Sequence, residues 1–272
     1  METQEVVILY VALILNKKEL LVFIMKAMKL YKTLDVANKN MPLGIYDIAF
    51  CEEGEAVHYG EIPCDSRIAW LEPATQGAYI DTGIKPTLTT GIEIKVRCPA
   101  NGIDNAKETI YFGASTNAAY ANGNNYCLEK STNKSITAVA YKTSASGTMT
   151  IYSTYAGLAN PYIVLFNYNG NKQGVVYNED RTTTLKTTTN MTVSAVPTGL
   201  NLYMFCRNVN GSPDQSLNHI TRIYYLKLWQ GTTLVRHFLP VRLGNTGYMY
   251  DMVSKQLFGS ANSNKFACGP DI

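Results

Sequence analysis

Charge is the first thing this 272-residue chain lacks. Asp, Glu, Lys and Arg make up 17% of it, where an ordinary soluble domain carries about 25%. The formal net charge of +3 gives no support to a nucleic-acid partner held through counterion release. Carboxylates are the scarcer sign over most of the chain. Residues 66–272 hold 18 Lys/Arg against 11 Asp/Glu, while residues 1–65 hold 6 against 10. The sign change sets a boundary near residue 65. It separates an N-terminal attachment or oligomerisation element (1–65) from a main domain (66–272).

Long apolar runs are missing too. Residues 6–15 (VVILYVALIL) form an unbroken run of ten, half of the roughly 20 that a helix needs to cross a bilayer, so no membrane span is expected. Glu2 and Glu5 occupy the place of a basic start, and no small-residue cleavage site follows, so no classical signal peptide is expected. Met25 and Met28 are alternative starts that would leave residues 1–24 outside the natural product.

Closely spaced cysteines are absent. The six, at 51, 64, 98, 127, 206 and 268, come no nearer than 13 residues to one another, which excludes C-x-x-C zinc and redox motifs. Spacing does not choose a disulfide pairing. Cysteines this scattered read as small buried hydrophobes, hence free thiols and synthesis in a reducing compartment. Cys51, His58 and Cys64 lack a fourth ligand and a close pair, so ordinary strand residues are expected there rather than a metal site.

Catalytic signatures are absent as well. There is no G-x-S-x-G and no P-loop, and His58, His219 and His237 fall in no nucleophile motif. A glycosidase needs two carboxyls flanking the scissile bond. Glu93 stands alone in its run, and Glu179-Asp180 falls at a hairpin tip. The protein is expected not to be an enzyme.

What is abundant is 27 Thr, 23 Asn, 19 Tyr and 20 Gly, residues that suit pleated strands and left-handed turns. So many aromatics at so little net charge exclude a disordered chain. Leu20, Ile24, Ala27, Tyr31 and Leu34 share one helix face, predicting a helix over about 17–34. Its short seam can pair or trimerise copies of the chain, or pack on the protein's own body. Residues 45–62 read as a hairpin around Glu52-Glu53-Gly54-Glu55.

From residue 66 the chain shows strand-like runs every 8 to 20 residues, about 14 in all, among them 68–72, 91–97, 109–113, 125–129, 220–229 and 233–240. Asn101-Gly102, Asn122-Gly123, Asn169-Gly170 and Asn210-Gly211 separate them, and Asn-Gly is the strongest short hairpin signal. The fold expected is mainly β: a two-sheet antiparallel jelly-roll sandwich, preceded by the short helix and hairpin.

Three segments carry a resemblance: LEPATQGAYIDTGIKP at 71–86, RIYYLKL at 222–228 with GTTLVRHFLPV at 231–241, and GYMYDMVSKQLF at 247–258. Together they make residues 66–272 resemble the concanavalin A-like (laminin G-like) jelly rolls of phage virion and gut-bacterial surface proteins. The resemblance implies the sandwich, and it implies a lectin, a glycosidase, an adhesin or a structural decoration alike. It also implies frequent calcium at the rim. Asp104 with Asn105, and Asn178 with Glu179 and Asp180, are the candidate donors, but neither set reaches the six to eight oxygens required. No metal and no cofactor are expected. Asp81, in Ile80-Asp81-Thr82-Gly83, reads as a turn-forming side chain.

Sugar sites combine an aromatic face with amide or backbone hydrogen bonds. With Leu226 and Leu228 pointing inward, Lys227 and Trp229 point outward, which makes Trp229 the first candidate. The amide-rich loop with Tyr120, Asn124, Asn125 and Tyr126 is the second. The same residues also serve as ordinary strand and turn residues. The resulting expectation is a non-enzymatic structural protein exposed on a virion or cell surface, as a fibre, tail or capsid decoration of a phage. Its partners would be a glycan or receptor, and other virion or surface proteins through residues 1–65, with self-association open. The alternatives are a carbohydrate-binding module of a bacterial surface protein, then a cryptic glycoside hydrolase.

Overall fold

The computed structural model describes residues 48–50, 56–58, 62, 64–74, 77–97, 109–118, 123–130, 136–139, 149–152, 160–191, 193, 195–214 and 221–272. The chain divides into two units, Met1–Glu61 and Ile62–Ile272. In the first, β1 (Ile48–Phe50) and β2 (Ala56–His58) pair antiparallel with Ile48 opposite His58. Residues 45–47, 51–55 and 59–61 of the hairpin expected over 45–62, and the helix expected over 17–34, lie outside the described residues. No helix among the described residues is long and apolar enough to cross a membrane.

The second unit is built from strands. They are β3 (Ser66–Arg67), β4 (Leu71–Pro73), β5 (Ile80–Asp81), β6 (Thr90–Arg97), β7 (Thr109–Ser115), β8 (Asn125–Lys130) and β9 (Ile136–Val139). Next come β10 (Met149–Tyr152), β11 (Tyr162–Phe166), β12 (Gly174–Tyr177), β13 (Thr184–Thr188), β14 (Tyr203–Met204), β15 (Arg207–Val209) and β16 (Ser212–Asp214). The last are β17 (Arg222–Gln230), β18 (Thr233–Leu243), β19 (Thr246–Asp251), β20 (Gln256–Phe258) and β21 (Phe266–Cys268). The pieces beyond the expected set, such as β3 and β16, are too short to show a period of two. Asn210 and Gly211, both at positive φ (49° and 88°), join β15 to β16 as the Asn-Gly signal predicts.

Two sheets form a sandwich-like arrangement. The smaller has the order β10-β9-β8-β7-β14-β5, with β15 parallel to β7 and β16 paired to β15. The larger has the order β13-β12-β11-β6-β17-β18-β19-β20, with β4, β21 and β3 added beside β17 and β18. Alternation fills the space between them: Ile92, Ile94 and Val96 from β6, and Leu226 and Leu228 from β17, are fully buried. Polar bonds cross the core. The Tyr111 and Tyr162 hydroxyls meet at 2.6 Å, and the Tyr126 hydroxyl donates to the Thr90 carbonyl. Aromatic contacts add Tyr126 on Phe166 (5.9 Å between centroids) and Phe205 on Phe266 (4.9 Å).

Cys64, Cys127, Cys206 and Cys268 are free thiols; Cys51 and Cys98 lie outside the described residues. Burial pushes the Cys127 thiol up to about 12, so it sits in the core as an unreactive hydrophobe.

Candidate functional site

The larger sheet turns a half-buried polar and aromatic side away from the core, and β17 organises it. Ile223 and Leu226 both point inward although they are three residues apart. The register explains this: Ile223 opposes Val96 and Tyr225 opposes Lys95, so Tyr224 is an extra residue. Such a β-bulge re-aims side chains. Here it sends Tyr224 and Tyr225 to the same outer side, where Lys227 and Trp229 follow by alternation. Lys95 stands 5.2 Å over the Tyr224 ring and Lys227 5.5 Å over the Tyr225 ring.

Glu93 on β6 lies under the middle of this stripe, its side chain 4% exposed. Its Oε2 accepts from Arg181 at 2.9 Å. Its Oε1 accepts from the Tyr225 hydroxyl at 3.1 Å and from Lys227 Nζ at 3.4 Å. A carboxylate is tolerated at this depth because three donors replace its water. Burial, then the charge of Glu93, raises the Tyr225 pKa and keeps its hydroxyl a donor. Arg181 reaches Glu93 from the β12–β13 turn, where it also stands 5.0 Å over the Tyr177 ring. At the far end, Arg222 pairs with Glu72 at 2.8 Å and covers the Trp70 ring at 4.0 Å.

Trp229 is half-buried on this side, opposite Gly91. A Cβ at Gly91 would come within 2.8 Å of the Tyr168 Cα, so glycine is what lets the 167–172 loop settle over β6. The loop is held by Asn167, whose buried amide donates to the Leu88 and Thr90 carbonyls at 3.0 and 2.9 Å. Tyr168 then meets the Trp229 ring edge to face, centroids 5.3 Å apart. Half-buried Trp229 alternates with the fully buried Leu228, and the partner its ring meets is set by the 167–172 loop rather than by strand period.

The second candidate loop comes out differently. Tyr126 is a core residue, fully buried, with its hydroxyl bonded to Thr90. Asn125 is also fully buried; its Oδ1 accepts from Ser115 at 2.6 Å and its Nδ2 donates to the Gly123 carbonyl at 2.8 Å. Asn124 closes the β7–β8 connection through two bonds to Thr116 and donates to the Val196 carbonyl at 3.3 Å. Those amides satisfy the protein's own turn and core, which corrects the reading of Asn125 and Tyr126 as surface ligand groups. Tyr120 lies outside the described residues.

In the sequence Glu93 stands alone in its run. Its partners lie 88, 132 and 134 residues away. Only strand register brings them together, and the outward parity of Glu93 and Lys95 was the one local hint.

The rim acids are engaged. Asn178 Oδ1 accepts from the Thr183 N–H at 2.9 Å, Asp180 accepts from Thr182 Oγ1 at 2.6 Å, and Glu179 pairs with Lys95 at 3.2 Å. Among the described residues no group of His, Cys, Asp and Glu is placed to hold a metal; Asp104 and Asn105 lie outside them. A cleft of about 370 Å³ opens at this turn, lined by Asn160, Pro161, Tyr162, the 178–180 tip and Leu185. Its polar groups are largely committed to the turn, so the stripe is the better candidate. No protein-family model matches the chain, and no curated protein matches it.

Proposed function

We propose that the protein is a non-enzymatic, surface-displayed binding protein. In this reading residues 66–272 form a jelly roll of the concanavalin A-like type that takes carbohydrate on the outer side of its larger sheet. The observation that carries the reading is the β17 bulge. It sets Tyr224 and Tyr225 beside Lys227 and in line with Trp229, on one solvent-facing side. Half-buried aromatics among fixed hydrogen-bond donors are the elements of a sugar site. A hydrolytic role has less support, because both Glu93 oxygens are already bonded and Glu179 and Asp180 are tied to Lys95 and Thr182.

The resemblance over residues 66–272 supports display on a phage particle or a cell surface, with residues 1–65 as the attachment and self-association element. A glycan array probed with the full chain tests the reading. Wild type should bind a subset of glycans; Trp229→Ala should weaken binding about tenfold, the scale of a lost aromatic contact, and Tyr225→Ala, which removes the ring beneath Lys227, should weaken it too. Binding left unchanged by both variants would move the site elsewhere. Sugar release from a polysaccharide panel would make the protein a hydrolase.

A further inference from the structure

We propose, building on the carbohydrate reading above, that the ligand is an extended polysaccharide carrying carboxylates, laid along β17 and held by Arg97, Arg181 and Lys227. Length is the first argument. From Arg222 to Trp229 the stripe follows one strand, at about 3.3 Å per residue roughly 20 Å. That is the reach of a chain of sugars and exceeds what a single terminal sugar covers.

The second argument is what the tyrosines present. Tyr177 and Tyr225 each lie beneath a cation, Arg181 at 5.0 Å and Lys227 at 5.5 Å, while Lys95, 5.2 Å over Tyr224, is paired with Glu179. A bare ring face would invite a neutral sugar to stack. A ring covered by an ammonium or guanidinium presents the cation instead.

The third argument is depth of charge. The Glu93 carboxylate is 4% exposed, while Arg181 and Lys227, which share it, are 45% and 31% exposed. Two cations on one recessed anion leave a positive charge facing outward. Arg97 adds another: it stands by the Tyr224 hydroxyl, where its charge opposes the upward push of burial on that pKa. Its buried Nε has no hydrogen-bond partner among the described residues. The stripe therefore complements a carboxylate-bearing chain.

The test is titration calorimetry of the full chain with polygalacturonate, with the same polymer fully methyl-esterified, and with oligothymidylate of similar charge. At low ionic strength polygalacturonate should bind at least about tenfold more tightly than the ester, and lose affinity as salt screens exposed charges. Arg97→Gln, and separately Arg181→Gln with Lys227→Gln, should each remove most of that advantage. Arg97→Gln strands no buried carboxylate, so it keeps the test readable if the double variant is unstable. An ester that binds as well as the acid overturns the acidic inference and leaves carbohydrate binding standing. Oligothymidylate binding as tightly as polygalacturonate overturns it in favour of a general polyanion surface. Failure of all three polymers overturns it too, and the glycan array then judges the carbohydrate reading independently.

Discussion

His237 shows how the stripe reaches into stability. It opposes Lys227 in the β17–β18 register. Burial, then the Lys227 charge, pushes its imidazole down to about 4, with Asp251 and Glu93 pulling the other way and Arg67 adding to the fall. The unfolded imidazole titrates near 6.5. Between about pH 6.5 and pH 4 the unfolded chain therefore binds a proton that the folded chain refuses, and stability falls as pH drops through that window. The expected loss from this residue is on the order of 2 kcal/mol. Urea midpoints of wild type and His237→Gln at pH 7.5 and pH 4.5 check it, because carboxylate contributions are common to both proteins. An equal pH dependence in the two would remove His237 as the cause.

At the scale of the element, β17 explains what sequence could show and what it could not. Leu226 and Leu228 alternate with Lys227 and Trp229, and that period of two is legible by inspection. The bulge is not, since Tyr224-Tyr225 reads equally well as part of a regular strand; only the opposing Val96 and Lys95 reveal the extra residue. The burial of Asn125 and Tyr126 is illegible for another reason. An amide-rich loop between tyrosines looks the same whether its amides face a ligand or close a turn, and here the Asn124 amide donates to the Val196 carbonyl while that of Asn125 is bonded to Ser115 and Gly123. The bulge gives a sharp expectation. Deleting Tyr224 restores strict alternation, with Ile223 and Leu226 still inward and Tyr225 still outward. The variant should fold with a melting temperature within a few degrees of wild type and lose most glycan binding. Unfolding of the variant would show that the bulge serves packing across the sheet, and retained binding would show that Tyr224 is no part of the site.

For the whole molecule, the question is what residues 62–272 can do alone. Their core joins both sheets, from Ile68 and Leu71 through Tyr111 and Tyr162 to Phe266. The end of the chain is also laced to the start of this unit. Asp271 accepts from Ser66 Oγ at 2.7 Å and pairs with Arg242 at 2.8 Å, and the Ile272 N–H donates to the Arg67 carbonyl at 3.1 Å. The Arg242–Asp271 pair is too exposed to contribute much, so the backbone bonds and the strand additions β3, β4 and β21 close the unit. A unit with its own core and tied ends folds independently. Residues 62–272 produced alone should therefore unfold in one cooperative transition and bind the same glycans as the full chain. Comparing their size in solution with that of the full chain then isolates the first 61 residues. A multimer seen only with the full chain would assign self-association to them, and identical monomers would end that role. If residues 62–272 alone do not fold, the core and the tied ends are insufficient, and the acidic N-terminal unit takes part in stability.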